Sequence, residues 1–124
     1  MDRERSRIEV FRGTTYHMVR CGFRARQKGY RYLREAAWIA YQEPEVLASV
    51  TKRLYPEVAK RFDTTDKKVE RAIRNAIETA WTKGKTETLK AVFKESYGDG
   101  TVRPTNTEVI RELAEMSHDY THER

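Results

Sequence analysis

Apolar residues return at three- and four-residue steps through nearly the whole chain, which is the period of an amphipathic helix. Tyr30, Leu33, Ala37, Ala40 and Tyr41 form one such stripe, Leu89, Val92 and Phe93 a second, and Val109, Ile110 and Leu113 a third. Prolines and glycines fall between the stripes, so the pattern predicts six helices and no strand. Residues 1–13 are basic and weakly patterned, which predicts an N-terminal arm or irregular lead-in ahead of one domain over 14–124. A first short helix over 14–21 would bury Met18 and Val19 and stop at Gly22. The second follows Gly29 and ends before Pro44. The third region, 45–62, should break at Tyr55–Pro56, because proline suits a first helical turn and not an interior. A fourth helix covers about 65–83 and stops at Lys83–Gly84, and a fifth covers 86–96 before the turn GDG at 98–100. The sixth starts at PTNTE, where Thr105 and Glu108 have the spacing of a capping box.

The fourth segment, TTDKKVERAIRNAIETAW (64–81), carries the most information. On a wheel of about 100° per residue, Val69, Ala72, Ile73, Ala76, Ile77 and Ala80 share one side, with Trp81 at its edge. Lys67, Arg71, Arg74 and Glu78 share the other, flanked by Lys68, Glu70 and Asn75. Thr65 has the chemistry of an N-cap, and Asp66 suits the positive helix end. Upstream, Val58, Ala59 and Phe62 precede the three-residue turn Asp63-Thr64-Thr65, and Val69 follows Ala59 by ten residues. That spacing is a helix-turn-helix in which Asp63 takes the left-handed position that glycine usually fills. The second helix of such a unit enters a DNA major groove by its N-terminal half. The same residues also describe a plain helical pair with a solvated charged face, in which Glu70 and Arg74 form an i,i+4 ion pair.

Charge tilts the balance toward a polyanion. The 124 residues include 25 Lys and Arg against 19 Asp and Glu, a net +6. Residues 1–35 hold ten bases and four acids (+6), whereas residues 104–124 hold two and five (−3). The basic potential therefore lies away from the C-terminal segment. One cysteine, Cys21, allows no internal disulfide and suits a reducing compartment. No signal-peptide core stands at the start, and the longest apolar run, AAWIAY (36–41), is too short to span a bilayer. A soluble, cytoplasmic and nucleoid-associated protein is expected.

With these residues in view, VTKRLYPEVAKRFDTTDKKVERAIRNAIETAW (50–81) closely resembles the effector domain of the stage-zero sporulation response regulator family. KGYRYLREA (28–36) and PTN followed by Glu108 match the same domain in the same order, and the resemblance covers roughly residues 14–120. It implies a six-helix, all-α bacterial transcription factor domain whose fourth helix reads boxes related to TGTCGAA, bound in tandem with protomers in contact or as a homodimer. Carried over position by position, the base-reading candidates are Lys68, Glu70, Arg71 and Arg74. Arginine can donate two parallel bonds to guanine, and glutamate can accept from the amino group of cytosine. Thr65, Lys67, Asn75, Lys83 and Arg103 are the candidates for phosphate contacts, which position a protein without selecting sequence. Two departures stand out, since relatives carry arginine at the place of Lys68 and histidine at that of Asn75. Lysine cannot make the planar fork contact, which makes phosphate the alternative partner of Lys68. The family's master regulator also carries a receiver domain ahead of this one, and the opening MDRERSR favours a stand-alone protein over an excised fragment.

The remaining constellations point to no second chemistry. His118 and His122 have metal-ligand spacing, but a site needs further ligands and none is evident, so no metal or cofactor is expected. Cys21 sits in an apolar helix and reads as packed. No nucleophile–base pair or glycine-rich phosphate loop is present, so neither catalysis nor a small-molecule substrate is expected. Arg3, Arg5 and Arg7 read as a solvated terminus, or as an arm entering a minor groove. Tyr30, Tyr32, Trp38 and Trp81 read as core or half-buried aromatics, which leaves the outer face of the fourth helix without the stacking platform of a single-stranded RNA binder. The alternative to DNA binding is a protein-interaction module of the same fold that pairs with, or antagonises, a full-length sporulation regulator.

Overall fold

A computed structural model describes residues 3–84, 86–93 and 102–123. Its helices are α1 (Arg3–Arg20), α2 (Lys28–Gln42), α3 (Tyr55–Arg61), α4 (Asp66–Lys83), α5 (Thr86–Val92) and α6 (Asn106–Glu123), and no strand occurs among the described residues. The all-α expectation holds. No helix among them is long and apolar enough to cross a membrane. Residues 94–101, which include the GDG turn and the end of the expected fifth helix, lie outside the described residues.

The predicted stops work as local chemistry requires. Gly22 ends α1 at φ 86°, with its N–H donating to Val19 and that of Phe23 donating to Met18. These paired bonds satisfy carbonyls that the last helical turn leaves open. Region 45–62 breaks as Pro56 demands, into a tight turn over Pro44–Ala48, a wide turn over Val50–Leu54 and then α3 with Pro56 in its first turn. Asp63 takes the left-handed conformation at φ 52°. Around it Thr64 N–H donates to Ala59 and Asp63 N–H to Lys60, so the helix-turn-helix corner closes like the end of α1, with aspartate where α1 has glycine. Thr105 Oγ1 accepts from Glu108 N–H at the start of α6 and donates to the Glu108 carboxylate, a variant of the predicted capping box.

The N-terminus departs from expectation. The irregular lead-in foreseen over 1–13 is helical from Arg3 and continuous with the helix foreseen over 14–21. Polar partners supplied by other helices explain the extension, and the local periodicity does not reveal them. Arg7 donates to both oxygens of the buried Glu35 on α2, at 2.9 and 3.1 Å, and its guanidinium lies 4.5 Å from the centroid of the Phe11 ring. Thr14 and Ser117 of α6, both fully buried, place their hydroxyls 2.7 Å apart. Val19, expected inside, is exposed, while Met18 takes the core position.

Glu35 also receives Arg61 of α3, which in turn donates to Glu57 at 3.3 Å. One carboxylate thus joins α1, α2 and α3. A carboxylate buried without partners would cost several kcal/mol; here two guanidiniums supply those partners. Leu33, Val58, Val69, Ile73, Ile77, Leu89, Phe93, Ile110 and Leu113 fill the common core.

At Gly29, α2 comes close against α4. Gly29 lies within the first turn of α2, and a Cβ there would stand 2.1 Å from the carbonyl oxygen of Ala72 and 2.8 Å from the Ala76 Cβ. The crossing is backbone against backbone. Gly29→Ala should therefore push the helices apart and lower stability by about 1–3 kcal/mol. Urea unfolding followed by circular dichroism would show this as a lower midpoint at an unchanged slope.

Candidate nucleic-acid interface

Seated on α2, α4 buries Val69, Ile73, Ala76, Ile77 and Ala80 and leaves Ala72 and Trp81 half-buried. This is the stripe predicted from the wheel. The opposite face carries Lys67, Lys68, Arg71, Arg74, Asn75 and Glu78, all exposed, with Glu70 half-buried at its margin. The cations of the N-terminal half therefore project into solvent, and no part of the described chain covers them.

The start of α4 is fixed from within. Thr65 Oγ1 accepts from Lys68 N–H at 3.2 Å, and Asp66 Oδ1 accepts from Lys67 N–H at 2.9 Å. Accepting the cap bond leaves the Thr65 hydroxyl hydrogen as a donor. One turn on, Arg74 donates to Glu70 at 2.8 Å across an exposed i,i+4 pair. Such pairs contribute about 0.3–0.5 kcal/mol. That is weak enough for either side chain to exchange its partner for a base edge or phosphate at little cost.

Of the remaining sequence candidates, Lys68, Arg71 and Asn75 share one shallow recess with Lys28, Tyr32 and Thr64. Lys83 is exposed in the last turn of α4, roughly 24 Å along the helix from Lys67 at 1.5 Å per residue. The two cannot serve the same point on a ligand. Arg103 is half-buried in the segment that leads into α6. The side chains of His118 and His122, the pair with metal-ligand spacing, lie outside the described residues. Cys21 is packed, and burial pushes its thiol up to about 11, which keeps it protonated and unreactive near neutrality.

Two supporting features escaped the sequence reading. Lys28 and Arg31 stand three residues apart and exposed on α2, Lys28 in a recess with Lys68 and Arg71 of α4 and Arg31 over the Phe62 ring at the end of α3, and their i,i+3 spacing was the signal available. Asn106, at the start of α6, donates to the Tyr55 hydroxyl at 3.0 Å and to the backbone carbonyl of Glu70 at 3.2 Å. It thereby ties α6, α3 and the middle of the charged turn of α4. Burial raises the Tyr55 pKa above the usual phenol range; Asn106, by donating to the oxygen, opposes that rise.

A family model described as "Sporulation initiation factor Spo0A C terminal" matches residues 14–116, most of the chain.

Asn106→Ala should remove both bonds and leave the Glu70 carbonyl without its donor, lowering stability by about 1–2 kcal/mol in urea unfolding. The Tyr55 phenol, relieved of a donor that favours its anion, should then titrate at still higher pH, as read by NMR of labelled tyrosine.

Proposed function

The chain belongs to the family of the sporulation initiation factor Spo0A C-terminal domain, and on that premise we propose that it is a sequence-specific double-stranded DNA-binding transcription regulator. The observation that carries this reading is the outer face of α4, where Lys67, Lys68, Arg71 and Arg74 are exposed on a helix whose inner stripe is fully engaged. Helix α4, the recognition helix over about 65–83, enters the major groove of boxes related to TGTCGAA by its N-terminal half. Arg71 and Arg74 donate to guanine edges, Glu70 accepts from cytosine once released from Arg74, and Lys68 divides between base and phosphate. Thr65, Lys67, Asn75 and Arg103 hold phosphates, and Lys83, at the far end of α4, can meet the backbone only farther away. The work is binding and not catalysis. Tandem protomers, or a homodimer, would extend the box.

The alternative, a module that pairs with or antagonises a full-length regulator, draws support from Ile8, Tyr16 and Val19, large apolar side chains exposed on α1. It leaves the cationic face of α4 without a use. Selection of bound sequences from a random duplex library separates the two readings: enrichment of a box supports DNA reading, and recovery of random sequence alongside capture of a receiver-bearing relative supports the alternative.

Arg71→Ala should cost about 1–3 kcal/mol on the selected box and relax selectivity at one base pair; equal losses on box and scrambled duplex would remove Arg71 from the reading set. Lys67→Ala should weaken all duplexes alike and flatten the salt dependence of log Kd by about one unit, as measured by fluorescence anisotropy.

A further inference from the structure

Two basic recesses flank the turn joining α3 to α4. The first, beside the recognition face, is lined by Lys28, Lys68 and Arg71 together with Thr64 of the turn. The second, about 430 Å³, is lined by Arg7, Arg31, Arg34 and Arg61 around Glu35, with Phe62 of the same turn in its wall. Lys28 of the first and Arg31 of the second lie three residues apart on α2, so their charges line one strip of surface beside the helix-turn-helix corner. Glu35 is the one carboxylate that lines either recess among the described residues, and it is already engaged by Arg7 and Arg61.

Aromatic rings hold the guanidiniums in place. Arg31 lies 5.2 Å from the centroid of the Phe62 ring and Arg34 lies 5.0 Å from that of Phe11. Arg34 donates to Thr15, yet its Nε is buried with no partner. Neither Lys28 nor Arg31 forms an ion pair among the described residues. Gathering like charges beyond what Glu35 neutralises opposes folding, so the strip is better explained by a polyanion than by stability. When a recognition helix lies in the major groove, the helices packed beside it pass over the sugar–phosphate ridges.

We propose that this strip, centred on Lys28 and Arg31, is a phosphate-binding track that seats the duplex backbone flanking the box. The proposal rests on the reading of α4 as the DNA-contacting helix. It adds a contact from α2 that supplies affinity without sequence choice, because guanidinium and ammonium groups meet phosphate oxygens alike whatever the base.

The test uses the full chain, fluorescence anisotropy and two duplexes bearing the selected box, one with long flanks and one trimmed close to the box. On the long duplex Arg31→Ala should weaken binding about three- to tenfold, and it should lower the slope of log Kd against log salt by about one. Lys28→Ala should do the same, and Arg31→Lys should restore most of the loss, since phosphate needs charge and not a fork. On the trimmed duplex the Arg31→Ala loss should disappear. Binding by Arg31→Ala and Lys28→Ala indistinguishable from wild type on long flanks, while Arg71→Ala still loses box selection, would overturn the track and leave the α4 reading standing. No binding of any duplex by the wild-type chain would overturn both.

Discussion

The contact on which the rest depends is the crossing of α2 and α4 at Gly29. Because no side chain intervenes there, the carbonyl of Ala72 comes up against the α2 backbone, and the apolar stripe of α4 is consumed in a close two-helix seam. A helix held this way has one face left for solvent. The cations of that face cannot fold back into the body, because the interior beneath them is already filled by Val69, Ile73 and Ile77. Exposure of Lys67, Lys68, Arg71 and Arg74 is therefore a consequence of packing.

Three further devices fix where that face points. The Asp63 corner sets the angle between α3 and α4, with a left-handed residue closing the end of α3. Asn106 reaches from α6 to the Glu70 carbonyl and anchors the turn from which Glu70 and Arg74 project. Glu35 binds α1 and α3 to α2 through two arginines. Breaking one partner of such a buried ionic group costs more than the group itself contributes, because the remaining charge is stranded. The positively charged surface is thus carried by a frame whose own charges are matched internally.

This division between matched and unmatched charge separates framework from function. Arg7 and Arg61 are spent on Glu35, and Arg74 is held loosely by Glu70 in solvent. Lys28, Arg31, Lys68 and Arg71 are among the cations that the fold gathers without an acidic partner among the described residues. They sit on both sides of the helix-turn-helix corner.

The helices from α2 onward, the Gly22 and Asp63 corners, the Thr65 and Thr105 caps and the polar face of α4 were legible in the linear order of residues. Each depends on neighbours within about two turns, and local periodicity and turn chemistry report such neighbours directly. The family, too, was legible, through motifs spread along the chain. The helical character of residues 3–13 was not, nor were the pairing of Arg7 with Glu35, the bridge from Asn106 to Glu70, and the role of Gly29 as a contact surface within α2. These join residues 28 to 43 positions apart, and a contact of that range leaves no trace in the spacing of either partner. The sequence by itself determined which helix would carry the cations. Only the tertiary structure decided which cations are neutralised, because a charge is quenched by whatever the fold brings within a few ångströms and not by what lies next along the chain.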